Sequence, residues 1–399
     1  MNGVNRLLFL SHRVPFPPHN GAALRTYNIL RLLARDFEIV GLCFDRGDRA
    51  TAHLGLAQRL AGLAPFGQFE AFPIPQELER SRFVWDHARS VFTGRPYTWY
   101  THDSPPFIAR LKTILAEQHF DLVHVDSLDL VRLLPIVQRL PVVCTHHNVE
   151  SELLRRRGGA YLRHQANAIE RVEREWLPRV ALNIAVSPDD AAAFKKLSPD
   201  ARVAVVPNGV DTEYFAPCDV DDAAGCVFVG GTSWYPNRDA LQWFVDDIIP
   251  RLGPTKTTWV GRATDAERRA FANVPGLELT GYVDDIRPYV GAAACYIAPL
   301  RVGGGTRLKL LDAWAMGKAI VSTSIGAEGL GARNDENMLL ADTADAFADA
   351  VARVLRDDAL RRRLGAAARQ TAVSRFSWSV IGDQVHSLYA QVVAEGRAG

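Results

Sequence analysis

A run of three glycines ahead of a predicted helix holds the residues best suited to binding an anion. Gly303, Gly304 and Gly305 follow an apolar stretch, and Thr306 precedes helical spacing that extends over residues 307–316. Glycine lets backbone amides approach a ligand closely, and a helix N-terminus favours negative charge. We expect Thr306 to cap the N-terminus of that helix. The pattern predicts a phosphate site on this loop.

Asp312 interrupts the apolar side of this predicted helix. A carboxylate there needs a partner, and Lys309 one turn earlier offers an exposed ion pair. Alternatively, Asp312 accepts hydrogen bonds from the ribose hydroxyls of a nucleotide whose phosphates lie on the glycine loop. The spacing leaves both interpretations open.

The same region resembles a known family. Residues 296–329 are similar to the donor-site signature of retaining glycosyltransferases of family 4, which have the two-lobed GT-B fold. In that signature a first acid contacts the donor sugar and a second contacts the ribose, and Asp312 matches the second. The first acid falls on Gly304, so the chain departs from the pattern in how it holds the donor sugar. The resemblance implies that loop amides and a cation bind the donor diphosphate, with the candidates Gly303, Gly304, Gly305, Thr306, Lys309 and Arg238.

Three further segments carry the resemblance. Residues 205–215 match the family's interdomain segment. Residues 12–21 resemble the opening of members associated with bacterial exopolysaccharide (PEP-CTERM/exosortase) systems, whose glycine loop faces the donor phosphates. Residues 147–150 resemble the segment whose histidine contacts the donor sugar and diphosphate, which makes His147 the predicted catalytic residue. The other donor contacts that the resemblance implies are Asn20, Gly21, Gly230, Gly231 and Val283.

His146 stands next to His147 at the end of a predicted strand over 142–145. Neighbouring residues on an extended chain point to opposite sides, so we expect one imidazole to face the substrates and the other to pack within the fold. We assign the packing role to His146.

Length and alternation of elements predict an α/β chain of two domains. The 399 residues exceed one ordinary core, and strands alternate with helices in the manner of parallel sheets. The family implies a GT-B fold, with two Rossmann-like lobes whose parallel sheets face each other across a cleft. We expect an acceptor-side lobe over 1–217, a nucleotide-sugar lobe over 218–378, and a last helix over 379–399 that crosses back to the first lobe.

Composition excludes several classes of protein. A net charge of +1 argues against nucleic acid as the main partner. The five cysteines are odd in number and lack C-x-x-C spacing, which disfavours a disulfide framework or a zinc site. No G-x-G-x-x-G follows the first strand, which disfavours a dehydrogenase. No D-x-D motif stands at a strand end, so we expect neither a metal requirement nor a cofactor.

The sequence also bears on location. The first residues lack the pattern of a signal peptide, and no apolar run approaches the ~18 to 20 residues of a membrane span, so we expect a cytoplasmic protein. Residues 151–180 are helical in pattern and rich in arginine. They form either a solvated face with ion pairs or a peripheral contact with anionic lipid at the inner membrane face. Residues 50–105 show aromatics and prolines without a clear period, which we interpret as aromatic packing under long loops.

Together these features predict retaining sugar transfer from a UDP- or GDP-sugar to a lipid-linked or oligosaccharide acceptor, in exopolysaccharide assembly. A GT-B nucleotide-sugar epimerase is the nearest alternative among enzymes, and it requires a dense set of acids and bases around the sugar. A two-lobed protein that binds a nucleotide sugar without turnover is the alternative from another class.

Overall fold

The computed structural model describes residues 4–47, 53–218, 223–303 and 305–398. The chain forms two compact units. Unit 1 comprises Met1–Pro207 and Gly382–Gly399, and unit 2 comprises Asn208–Ile381. The chain passes between the units at residues 207 and 208, earlier than the expected boundary at 217 and 218, because the segment after Asn208 pairs within unit 2.

Unit 1 is built on a sheet of seven parallel strands. Its inner strands are short apolar runs that are largely buried on both faces, as expected for strands covered by helices, whereas the two edge strands are only partly buried. The strands are β1 Asn5–Ser11, β2 Phe37–Asp45, β3 Gln68–Pro73, β4 Leu122–Asp126, β5 Val142–Thr145, β6 Leu182–Ala185 and β7 Val203–Val205. Their order is β3-β2-β1-β4-β5-β6-β7, so the direction of winding reverses between β1 and β4. Ligands of open parallel sheets bind at the carboxyl ends of strands next to such a reversal.

Helices cover both faces of this sheet. They are α1 Gly21–Leu33, α2 Leu56–Ala61, α3 Pro75–Leu78, α4 Arg80–Thr93, α5 Thr98–Thr101, α6 Pro105–Glu117, α7 Leu134–Val137, α8 Glu150–Arg157, α9 Ala160–Trp176 and α10 Pro188–Leu197, with 3-10 turns at Ala64–Phe66 and Leu128–Leu133. Leu8, Val123 and Phe107 belong to the apolar core between sheet and helices.

One prediction for unit 1 was wrong, and one segment departs from a regular α-helix. The described residues between 53 and 105 contain β3 and four helices rather than long loops. Residues 128–137 form a 3-10 turn followed by the single turn α7 instead of one continuous helix. Pro135 explains the second difference, because proline lacks an amide donor and its ring clashes with the carbonyl of the fourth residue before it in a continuous helix.

Unit 2 is built on a second parallel sheet, with six strands. The strands are β8 Cys226–Val229, β9 Thr257–Val260, β10 Leu277–Gly281, β11 Cys295–Ala298, β12 Ile320–Ser322 and β13 Leu339–Leu340. Their order is β10-β9-β8-β11-β12-β13, which places a second reversal between β8 and β11. Each unit therefore has the topology of a Rossmann-like domain.

The helices of unit 2 are α11 Tyr235–Trp243, α12 Ile249–Leu252, α13 Asp265–Phe271, α14 Arg287–Ala292, α15 Leu308–Ala315, α16 Ala344–Arg356 and α17 Asp358–Thr371, with π turns at Phe244–Ile248 and Ala372–Phe376. The last helix, α18 Trp378–Ala398, carries the chain from unit 2 into unit 1. There Tyr389 is buried, and its Oη lies 2.5 Å from His124 Nδ1. Among the described residues, no helix combines the length and apolar character that a membrane span requires.

Candidate active-site residues of the two units

Three polar side chains of unit 1 meet where strands end. His12 directly follows β1, Asp126 ends β4, and His147 lies two residues beyond β5. These strands are neighbours in the sheet, so their carboxyl ends lie at one edge. One side-chain nitrogen or oxygen from each residue lies within 4.8 Å of the other two. The topology thus brings together two histidines and a carboxylate that are distant in sequence.

Asp126 is the centre of this group. It is 1% exposed, and its Oδ2 accepts hydrogen bonds from Ser11 Oγ at 3.2 Å and Thr26 Oγ1 at 2.8 Å. His147 Nε2 lies 3.2 Å from Oδ1. Burial alone would raise the pKa of Asp126, but His147 and His12 outweigh it and hold the pKa well below its usual value. The carboxylate is therefore ionised at neutral pH and is a fixed partner for His147.

His12 is held between a cation and this carboxylate. Its Nε2 accepts from Arg13 Nε at 2.9 Å, which leaves the proton on Nδ1. Nδ1 then donates to the main-chain oxygen of Asp126 at 2.8 Å. Both ring nitrogens of His12 are therefore engaged by neighbouring protein groups.

Asn20 and Gly21, the expected donor contacts of unit 1, form the N-terminus of α1. Asn20 Oδ1 accepts from Ala23 N at 3.0 Å and caps the helix. Arg13 Nη1 donates to the same oxygen at 3.2 Å, and this bond joins the helix N-terminus to the His12 group. Gly21 is the exposed first residue of the helix. A helix N-terminus beside an arginine suits a phosphate chemically.

His146 and His147 have different environments. His146 is 4% exposed, with Nε2 2.9 Å from Asn183 Oδ1 and its ring 4.5 Å from that of Phe194. Burial lowers the pKa of His146 to about 4. Burial also lowers the pKa of His147, against the opposing effect of Asp126. The His147 side chain keeps 15% exposure, so it retains access to solvent while it contacts Asp126.

The donor residues expected in unit 2 follow the carboxyl ends of three strands. Gly230 and Gly231 follow β8, and Gly230 N donates to Val260 O at 2.8 Å. A Cβ added at Gly231 would lie 3.1 Å from Arg262 O, so the two backbones approach closely, and a side chain there would need a small shift of the Arg262 backbone. Val283 follows β10 and packs, partly buried, against the apolar core of unit 2.

Arg238, expected as a cation for the diphosphate, has one partner in the loop before its own helix and one on α13. Its Nε donates to Thr232 O at 3.3 Å and lies 3.5 Å from Glu267 Oε1. The side chain is 57% exposed. Glu267 therefore already balances this charge, which weakens the assignment of Arg238 to the diphosphate.

The glycine loop after β11 enters α15 differently from the prediction. Arg307, with φ −84° and ψ 93°, is the N-cap, and it makes no side-chain cap. The expectation that Thr306 caps the helix was wrong, because its hydroxyl is buried and has no hydrogen-bond partner among the described residues. Gly303 and Gly305 have φ of +119° and +77°, which other residues adopt at a cost. Gly304, the position of the missing acid, lies outside the described residues.

Arg307 is a cation that sequence reasoning missed. It is 8% exposed, and its Cζ lies 5.4 Å from the centre of the Trp234 ring. A Cβ added at Gly303 would lie 2.6 Å from its Nη2, so the guanidinium packs directly against the loop. The sequence carries a signal for this role, since Arg307 immediately follows the glycines and the threonine, but the helical spacing over 307–316 predicts an ordinary helical residue there.

Asp312 lies in α15, and among the described residues its ion-pair partner is Lys309. Lys309 Nζ is 3.6 Å from its Oδ2, and the side chains are 52% and 11% exposed respectively. Burial raises the pKa of Asp312 to about 6, although Lys309 acts in the opposite direction. The ion pair of the first interpretation is present, but it does not offset the burial of the carboxylate.

Sequence reasoning also missed Asp126 and His12 as members of the site. Asp126 ends a strand and His12 directly follows one, and active-site residues of open parallel sheets lie at such carboxyl ends. The missing information was the strand order, which puts β1, β4 and β5 side by side.

Comparison with known proteins gives matches over both units. Residues 19–214 match the family model "Glycosyltransferase Family 4", and residues 223–357 match "Glycosyl transferases group 1". A phosphatidyl-myo-inositol mannosyltransferase from Mycobacterium leprae is 26% identical over 310 residues, which is 73% of this chain and 79% of that protein.

Solved structures share the fold over nearly the whole chain. Sucrose-phosphate synthase from Thermosynechococcus elongatus gives a TM-score of 0.73 at 18% identity, covering 98% of this chain and 100% of that one. Anabaena Alr3699/HepE in complex with UDP gives 0.70 at 18% identity, covering 97% and 100%. The matched domains and the two Rossmann-like units identify this chain as a glycosyltransferase with the GT-B fold.

Proposed function

We propose that this glycosyltransferase moves a hexose from a UDP- or GDP-sugar, with retention at the anomeric carbon, to a glycan or lipid-linked acceptor of cell-surface polysaccharide. The observation that carries the donor assignment is Asp312, a buried carboxylate with a raised pKa. It lies within two turns of a glycine loop whose Thr306 hydroxyl is buried without a partner among the described residues. Ribose hydroxyls would supply the donors that this carboxylate lacks.

Loop amides and cations neutralise the diphosphate in this proposal. Gly303 and Gly305 keep side chains out of the loop, and the N-terminus of α15 adds its dipole. Arg307 is the foremost cation because its guanidinium packs against Gly303, and Lys309 stands one turn before Asp312. Val283, after β10, is assigned to the nucleobase.

His147 acts on the reacting part of the donor. During transfer, the bond between the anomeric carbon and the β-phosphate oxygen breaks, and the acceptor oxygen bonds to that carbon on the same face. The acceptor proton passes to the released diphosphate. We assign to His147 a contact that stabilises the developing charge, and to Asp126 the positioning of its imidazole through the 3.2 Å contact.

The acceptor assignment draws on two resemblances. The name of the Mycobacterium leprae relative describes transfer of mannose to phosphatidyl-myo-inositol, which is a lipid. The opening segment over 12–21 resembles transferases of exopolysaccharide systems. A lipid-linked acceptor at the cytoplasmic face of the membrane satisfies both.

Binding of a panel of nucleotides and nucleotide sugars, measured by thermal shift with Asp312→Ala as the control, tests the donor assignment. A ligand at 100 times its dissociation constant should stabilise the parent by about 2.7 kcal/mol. Stabilisation by no nucleotide would refute the proposal. Slow donor hydrolysis separates a transferase from a binding protein, and recovery of an epimerised nucleotide sugar would favour the epimerase.

Metal independence is a separate part of the proposal. Turnover should survive EDTA, because arginine, lysine and backbone amides take the role that a divalent cation has in other transferases. Loss of turnover on chelation, with recovery on addition of Mg²⁺ or Mn²⁺, would contradict this assignment.

A further inference from the structure

The helix α4 of unit 1 buries polar side chains and exposes apolar ones, which is the reverse of the usual arrangement. Asp86 and Ser90, one turn apart, are both 0% exposed. Gln76 Nε2 donates to Asp86 Oδ2 at 2.8 Å, and Gln165 Nε2 donates to Ser90 Oγ at 2.9 Å. The polar side of this helix therefore faces the protein, where each of these two residues accepts a hydrogen bond.

The opposite side of α4 presents large apolar residues to solvent. Val84, Trp85, Val91 and Phe92 are 69%, 63%, 47% and 89% exposed. Their spacing of i, i+1, i+7 and i+8 places them on one face of the helix. We call these four residues the α4 apolar face. Contiguous exposed apolar surface of this kind marks an interaction site more often than a solvated surface.

A strongly basic stretch lies beside this face. The nine residues from Arg155 to Arg163 contain four arginines and no acid, and all four arginines are exposed. Tyr161, within this stretch, has its ring 5.9 Å from that of His87 on α4. The end of the α8–α9 hairpin thus adjoins α4. Arg155 pairs with Glu170 of α9, and the other arginines of the stretch add positive charge to an apolar surface that contains tryptophan.

We propose that the α4 apolar face and the Arg155–Arg163 stretch together dock unit 1 onto an anionic lipid bilayer. Tryptophan and phenylalanine enter the interface between head groups and acyl chains, and the arginines contact lipid phosphates. A second copy of the chain fits this surface less well than a bilayer does. A symmetric interface would set the same arginines against each other, because both copies contribute the same patch. The inference rests on the proposed function in one respect, namely that the acceptor is lipid-linked and lies in a membrane.

Sedimentation with phosphatidylcholine vesicles, with and without phosphatidylglycerol, tests this proposal. The parent protein should bind the anionic vesicles, bind pure phosphatidylcholine much more weakly, and dissociate as salt is raised. Trp85→Gln with Phe92→Gln should weaken binding at least ~10-fold, since insertion of two aromatic side chains is lost. Arg163→Glu should weaken it about 5-fold or more, because each basic residue near the surface adds about 1 kcal/mol.

Arg362→Glu is the matched control, since this arginine is exposed in unit 2 and lies outside the patch; vesicle binding should persist. All the substituted residues are exposed, so folding should be retained, and circular dichroism checks this. Vesicle binding that the aromatic variant leaves unchanged would overturn the proposal. So would a dimer, detected by analytical ultracentrifugation, that the same variant dissolves. Nucleotide binding measured in parallel separates the two proposals, because a protein that binds nucleotide and no vesicles refutes only the membrane surface.

Discussion

Each unit holds a buried carboxylate among its candidate site residues, and the fold supplies the two carboxylates with very different sets of partners. Asp126 of unit 1 has hydroxyl donors and two histidines, and its pKa is held well below the usual value. Asp312 of unit 2 has a half-exposed lysine at 3.6 Å, and burial raises its pKa to about 6. Burial disfavours the charge in both, so the difference lies in the partners that the fold supplies.

This difference separates two tasks. The Asp126 group is complete within the protein, which suits a residue that holds a catalytic imidazole in one orientation. Asp312 remains incompletely satisfied, which suits a residue whose remaining donors come from a ligand. The comparison predicts that the loss of Asp126 damages the folded state, whereas the loss of Asp312 damages binding.

Asp126→Asn should produce the largest effect, lowering the free energy of unfolding of unit 1 by about 3 kcal/mol at neutral pH. Arg25, whose pKa burial lowers to about 10, lies close enough for Asp126 to oppose that shift. The substitution leaves this buried cation less compensated. Urea unfolding of the variant and of an Asp200→Asn control, at an exposed position, measures the effect.

The pH dependence follows from the lowered pKa of Asp126. Its folded-state pKa lies below the ordinary 3.8, so the stability it contributes is present above that pH and is lost as the pH falls through the folded-state value. The deficit of Asp126→Asn should therefore be full at neutral pH and shrink in acid. An equal deficit at all pH values would mean that packing, rather than charge, explains it.

His147→Ala should lower turnover at least ~100-fold, a typical cost of losing a positioned proton-transfer or charge-stabilising group. Nucleotide affinity should stay nearly unchanged. His146→Ala is the matched control. Its imidazole bonds to Asn183 and packs on Phe194, so it should lose mainly stability. Loss of transfer in a folded His146→Ala protein, with His147→Ala fully active, would reverse the assignment.

Sequence patterns predicted the elements that obey ordinary amphipathic rules. The strand β5 begins and ends at the predicted residues, and the parallel sheets follow from alternating strands and helices. The helix α4 escaped prediction because its apolar residues point outward and its buried residues are polar, contrary to those rules. The partners of Asp126 could not be predicted from local patterns, because they depend on the order of the strands in the sheet.

Asp312→Ala should weaken nucleotide binding by about 1.5 to 3 kcal/mol, because hydrogen bonds from ribose hydroxyls to a carboxylate are charge-assisted. Isothermal titration with UDP and GDP measures this loss. Lys309→Ala serves as the control and should weaken binding less, since its side chain is 52% exposed. Unchanged affinity of Asp312→Ala for every nucleotide that the parent binds would return Asp312 to a purely structural ion pair.

The smallest expected effect is a gain in stability from a substitution at Asp312, whereas Asp126→Asn should lower stability. The pKa of Asp312 is raised from 3.8 to about 6, so its contribution to stability is full below the unfolded value and is lost as the pH rises through about 6. Replacing it with the neutral isostere, Asp312→Asn, removes this loss. The full linkage value, which already includes the ion pair with Lys309, is ~3 kcal/mol. The amide adds N–H donors to a buried site at a cost of about 1 to 2 kcal/mol, so we expect a net gain of about 1 to 2 kcal/mol near pH 8. Urea unfolding without nucleotide should show unit 2 of the variant to be more stable than the parent in mild alkali and less stable than the parent near pH 4. A variant less stable than the parent at both pH values would show that the fold already satisfies Asp312, and the contrast between the two carboxylates would fail.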